Sequence, residues 1–141
     1  MSRTSPPGLL SEARAYLDEP IYANQVEMHP LLQQDHLRED AVENDTVFVA
    51  YSPFRHGTIF DLEEINSIAD KHGVTPAQVV LAWVTSYKNV VTIPKATGEE
   101  HLRENFEALT LELDAEDIET IESIEREDRY IDPPFAPDWE D

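Results

Sequence analysis

Thr46-Val47-Phe48-Val49-Ala50-Tyr51-Ser52 is a near-continuous apolar run rich in β-branched residues. A strand of that composition is apolar on both faces, as strands of parallel sheets are. Two shorter runs share its character: Ile21–Met28 (IYANQVEM), ending at His29–Pro30, and Asn89–Pro94 (NVVTIP). Helical patterns lie around and between them. Pro7 opens GLLSEARAYL, with Leu9, Leu10, Ala13 and Leu17 on one stripe. LQQDHLREDAVEND follows over 32–45, and DLEEINSIADKHG over 61–73 with Gly73 as its stop. Thr75 and Pro76 read as the cap and first residue of a buried helix, PAQVVLAWVTSY. TGEEHLRENFEAL predicts a helix with Thr97 as its cap. Asp114 predicts the cap of AEDIETIESIE, with Asp117 as the capping-box partner. Three strands alternating with helices argue for a parallel sheet built from βα units. Three strands alone leave both outer edges open.

The chain has 141 residues, 30 Asp+Glu against 10 Lys+Arg, and a formal net charge of -20. This balance argues against nucleic-acid binding, which needs clustered cations, and against a polybasic membrane anchor. No apolar run reaches the roughly 20 residues of a membrane span, and the opening MSRTSPPGLLSEAR lacks an apolar signal region. A cytoplasmic location is expected. There is no cysteine, so disulfides and thiolate metal sites are excluded. The acids interleave with apolar positions on every helix, and only Lys71, Lys88 and Lys95 are lysines. Such a surface resembles those of cytoplasmic proteins that work in strong salt, where screening suppresses self-repulsion.

The glycines fit neither a GxGxxG fingerprint nor a phosphate-binding P-loop, and no HExxH or GxSxG is present. Glu27 and His29 share a strand face and could ligate a metal, but no third ligand accompanies them, so no metal is assigned. Three clusters stand at strand ends: 24–30 (NQVEMHP), 50–54 (AYSPF), and 93–97 (IPKAT) with His101, Arg103, Glu104 and Asn105 beyond it. Gln25 offers an amide that can pair with a carboxamide. Tyr51 offers a flat ring for stacking. Lys95, after a strand and before a helix, suits a phosphate. Each also has a plainer reading: a strand-edge residue, a core tyrosine and a solvated loop lysine.

Taken in order and spacing, NQVEMHP, VFVAYSP, TPAQVVLAWV, VVTIPKAT, HLRENFEAL and LELDAEDIETIE resemble the C-terminal half of aldo-keto reductases, from about residue 5 to residue 141. The closing PPFAPDWED is similar to the tail of members that reduce sugar-derived ketones and small aldehydes. The resemblance implies an α/β fold: part of a (β/α)8 TIM barrel, strands six to eight with their helices and the C-terminal tail. It implies NADP(H) or NAD(H) as cofactor and a small carbonyl substrate once the barrel is complete. It places Gln25 at the nicotinamide carboxamide and Tyr51 on the nicotinamide ring. Ser52 and Phe54 fall at the pyrophosphate, Lys95, Thr97 and His101 at the adenosine phosphate, and Glu104 and Asn105 at the adenine. Phe135 and Trp139 fall at the substrate mouth.

The departures are Ala96 where the family has serine, and His101 where it has an arginine for the 2′-phosphate, which leaves NADH or dual use open. The family's catalytic Asp, Tyr, Lys and His come from the first half of the barrel. No residue here matches them, so no catalytic residue is assigned. The opening SRTSPPGLL looks like a family segment whose SNF is lost or altered. Residues 1–141 are therefore expected to be the C-terminal portion of a reductase barrel, from a truncated gene product or a partial gene model, inactive alone. The alternatives are a cofactor-binding remnant or barrel-completing subunit, and an inert fragment that self-associates through exposed strand edges.

Overall fold

The computed structural model describes residues 2–3, 7–125 and 134. The chain runs β1 (Ser2–Arg3), α1 (Pro7–Tyr16), β2 (Ala23–Glu27), α2 (Asp35–Glu43), β3 (Val47–Tyr51), a 3-10 stretch (Arg55–Asp61), α3 (Glu63–His72), α4 (Pro76–Thr85), β4 (Val90–Thr92), α5 (Glu99–Glu107), a 3-10 turn (Ala108–Thr110) and α6 (Ala115–Glu122). The strands form one sheet in the order β1-β2-β3-β4. Every pairing is parallel. All strand C-termini therefore share one end of the sheet.

Sequence predicts three strands; the fourth is Ser2–Arg3, which pairs with Asn24 and Gln25. Two residues carry no alternation to read, so only the neighbouring strand reveals it. The helix predicted over 32–45 starts later, at Asp35, because His29 and Leu32 form a tight antiparallel bridge and Gln34 takes a left-handed backbone (φ 58°). Gly98, not Thr97, caps α5. The last helix ends at Glu122 rather than 125.

Other signals hold. Gly73 closes α3 in the left-handed conformation, φ 66°. The Thr75–Gln78 and Asp114–Asp117 capping boxes both form, each with side chain and backbone amide bonded reciprocally.

The two sheet faces differ. Asn24, Val26, Phe48, Ala50 and Val90 are buried beneath the helices, whereas on the other face Ala23, Gln25, Val49 and Tyr51 are half-buried, Val47 and Val91 exposed, and only Glu27 of these strand residues is fully buried. Strand alternation produces this division. The core sits between the first face and α4, whose residues Gln78 to Val84 are all buried. Trp83 is its largest buried side chain, edge-on to Tyr87 with centroids 5.7 Å apart and its indole N–H donating to the Tyr87 hydroxyl at 3.0 Å. Ile65, Ile121 and Leu10 bring α3, α6 and α1 onto the same core.

Candidate functional site

Gln25 and Tyr51 emerge on the face opposite the helices, both half-buried, with the fully buried Glu27 between them on β2. Gln25 lies opposite Val49 in the ladder and Tyr51 opposite Glu27, so the two are diagonal neighbours across β2 and β3. Diagonal pairs lie about 7 Å apart, within reach of one flat ligand group. The structure thus brings together the amide and the ring that the sequence singled out.

Past Tyr51 the backbone turns sharply. Ser52 (φ 52°), Arg55 (φ 44°), His56 (φ 53°) and Gly57 (φ 89°) are all left-handed. Only Gly57 adopts this without steric cost. The three others each carry about 1 kcal/mol or more, which surrounding bonds must offset. The Arg55 amide donates to Ser52 O at 3.0 Å and that of Gly57 to Phe54 O at 2.8 Å. Phe54 is half-buried, its ring 5.4 Å from that of Phe60.

The third cluster follows β4. The Ile93 amide continues the ladder to Ala50 O at 3.1 Å. Lys95 and Thr97 then stand exposed in the connection to α5, and among the described residues Lys95 pairs with no carboxylate. His101 is exposed, with Nδ1 3.5 Å from Glu104 Oε2. Glu104 is turned toward α4: its carboxylate accepts from the Thr75 hydroxyl, and its carbonyl accepts from Gln78 Nε2 at 3.2 Å. Asn105 is half-buried. Phe135 and Trp139 lie outside the described residues.

Glu27 and His29 are fully buried and bonded to each other, Nε2 to Oε1 at 2.9 Å. Their mutual bond fits the structural reading of the pair. Among the described residues, metal-ligand spacing occurs at His72, Asp114 and Asp117. There the Lys71 ammonium already bridges Asp114 and Asp117, at 2.7 and 2.8 Å, and His72 Nε2 lies 2.6 Å from Asp117. The cluster is a clasp between α3 and α6. Burial pushes the Asp117 carboxyl up, but bonds from Lys71, His72 and the Asp114 amide outweigh it and hold it below the usual range. Bonds from Lys71 and the Asp117 amide do the same for Asp114.

Sequence reasoning missed the brace behind the site. Gln33 Nε2 donates to Pro30 O (3.1 Å) and to Ile121 O (2.8 Å), and Gln34 Nε2 donates to Glu27 O (2.9 Å). Arg38 stacks 3.8 Å above the Tyr87 ring. Burial and a bond from its hydroxyl to Glu122 raise the Tyr87 pKa. These bonds fix the turn that ends β2. The Gln33–Gln34 pair after HPLL was the available signal. A cavity of about 310 Å³ lined by Gln33, Asp35, Arg38, Glu39 and Glu122 lies beside the brace and includes none of Gln25, Tyr51 or Lys95.

A parallel sheet carrying its polar groups at strand C-termini defines an α/β scaffold of the kind that binds ligands there. The model of the aldo/keto reductase family matches residues 2–126, and the chain belongs to that family, whose members are NAD(P)H-dependent carbonyl reductases. Among curated relatives, methylglyoxal reductase DkgB of Escherichia coli O157:H7 is 37% identical over 123 residues, covering 86% of this chain and 46% of the relative. Glyoxal reductase of Bacillus subtilis is 38% identical over 106 residues, covering 75% and 38%.

Among solved structures, a mutant of Gox0644 in complex with NADPH superposes with a TM-score of 0.81 at 31% identity, covering 86% of this chain and 45% of that one. Aldose reductase from Giardia lamblia superposes at 0.88 with 25% identity, covering 98% and 48%. The chain thus spans less than half the length of these relatives. No helix among the described residues is long and apolar enough to cross a membrane.

Proposed function

We propose that residues 1–141 form the cofactor-binding C-terminal portion of an aldo-keto reductase barrel, acting on small aldehydes or ketones in the cytoplasm of a cell rich in salt. The observation that carries this reading is the shared sheet face of the half-buried Gln25 and Tyr51, with Lys95 past the end of β4 and paired with no carboxylate among the described residues. The donor set fits a nicotinamide dinucleotide: an amide, an aromatic ring, a left-handed loop and an exposed ammonium. Gln25 would hold the carboxamide and Tyr51 would stack on the ring. The loop from Ser52 to Gly57, with Phe54, would follow the pyrophosphate. Lys95 and Thr97 would meet the adenosine phosphate, with Asn105 near the adenine. When bound, the cofactor supplies a hydride to a carbonyl carbon. The general acid that protonates the oxygen comes from the part of the barrel outside this chain, so the chain alone binds without turnover.

Titrating NADPH and NADH into the folded chain in molar KCl, followed by tryptophan fluorescence, tests the proposal. Saturable binding is expected. Tyr51→Ala should weaken it roughly five- to tenfold, the loss of about 1–1.5 kcal/mol of ring stacking. No binding by a folded chain would overturn the reading.

His101 faces Glu104 where the family carries an arginine, so the preference for NADPH over NADH should stay within about tenfold. His101→Arg should shift it toward NADPH. A second reading, a subunit that completes a barrel by association, is favoured by the uncovered sheet face.

A further inference from the structure

One acid stands on the sheet face that carries Gln25 and Tyr51. Glu27 lies directly opposite Tyr51 in the ladder, where paired side chains sit about 5 Å apart. Among the β2, β3 and β4 residues of this face it is the only Asp or Glu, and the only one fully buried. It is fixed at both ends. Gln34 Nε2 donates to its carbonyl at 2.9 Å, the next amide, of Met28, donates to Tyr51 O at 3.2 Å, and His29 Nε2 lies 2.9 Å from its Oε1. The other ring nitrogen, His29 Nδ1, is buried with no hydrogen-bond partner among the described residues. A proton on Nδ1 would be a buried donor with nothing to bond, in the cationic ring and in one neutral tautomer alike. The remaining tautomer puts the proton on Nε2 and makes the Glu27 carboxylate the acceptor of a charge-assisted bond. A buried carboxylate is generally no more stabilising than an apolar residue of the same shape, so stability alone does not account for its place opposite Tyr51.

We propose that Glu27 discriminates between the two redox states of the nicotinamide ring: its buried carboxylate favours the oxidised, positively charged form over the reduced, neutral one. This rests on the cofactor reading, because it takes Tyr51 as the surface on which the ring stacks. The ring loses one unit of positive charge when it gains a hydride, and the rest of the dinucleotide keeps its charge. A fixed charge beside the ring therefore acts on one state and hardly on the other. In a buried site that coupling is stronger than between exposed groups, and salt screens it less. Gln25 carries no charge, and Lys95 is a cation past the end of β4, so the preference falls to Glu27. Glu27 thereby favours departure of the hydride, the direction in which a carbonyl is reduced.

Calorimetric titration of the 141-residue chain with NADP+ and with NADPH in molar KCl tests this. Glu27→Gln keeps the shape and an acceptor for His29 but removes the charge. It should weaken NADP+ binding roughly five- to tenfold and NADPH binding less than about twofold. The same split should appear with NAD+ and NADH, which lack the 2′-phosphate. Glu116→Gln, which removes one charge from an exposed position on α6, should leave the ratio of the two affinities unchanged. A merely structural role for Glu27 moves both redox forms together, and that result overturns the proposal. An equal change of the ratio in Glu116→Gln overturns it as well. The wild type supplies a second readout should Glu27→Gln fail to fold. The Glu27 side-chain carboxyl carbon should shift further in the NMR spectrum with saturating NADP+ than with NADPH, and identical shifts with the two forms overturn the proposal. A wild-type chain that binds both forms, with Glu27→Gln altering them alike, leaves the cofactor reading standing and removes only this one. A folded wild-type chain that binds neither form removes both.

Discussion

Asp117 draws three separate groups onto one nearly buried carboxylate. It accepts from Lys71, His72 and the Asp114 amide while its side chain is only 3% exposed. Asp117→Ala should lower stability by about 1–2 kcal/mol, read as a lower urea midpoint at unchanged slope. Asp114 and Asp117 are both depressed in the folded state. Their stabilisation is therefore complete above the unfolded carboxylate pKa near 3.8 and is lost as the pH falls through their lower folded values. An acid titration followed by circular dichroism should show the wild type losing stability in that window, and Asp117→Ala losing less.

The Asp114–Asp117 box was legible as Asp-x-x-Asp before an apolar run. Lys71 and His72 were not, since they lie more than 40 residues away in sequence. The site divides similarly. Strand alternation put Gln25 and Tyr51 on one face. The bond between Glu104 and Thr75 is a lateral contact between two helices, which no local pattern encodes.

At the scale of elements, α4 was the most legible, because its cap, its proline and its unbroken apolar run agree. It is also the most consequential. Trp83→Ala would open a cavity at a fully buried position and should cost about 3–5 kcal/mol, measured by denaturant unfolding. Thr75→Ala removes one arm of the capping box and should cost about 1 kcal/mol. The elements that escaped reading were set by tertiary contact. β1 has two residues and exists through β2. The start of α2 is displaced by the His29–Leu32 bridge and the left-handed Gln34. α5 has the periodicity of an amphipathic helix but buries none of its residues.

The whole molecule pairs a buried core with 30 acids against 10 Lys and Arg. Self-repulsion at that charge should make the thermal midpoint rise by several degrees or more between low salt and molar KCl, where the Debye length falls to about 3 Å. A midpoint indifferent to KCl would count against that electrostatic account. The central claim is that the C-terminal ends of β2, β3 and β4 form one cofactor surface. Its most direct test is the amide NMR spectrum of the labelled chain titrated with NADPH in molar KCl. Shift changes should cluster at 24–29, 51–57 and 92–105, with the Gln25 side-chain amide among the largest. A folded spectrum unchanged by millimolar NADPH, or changes confined to the outer helices, would contradict the claim.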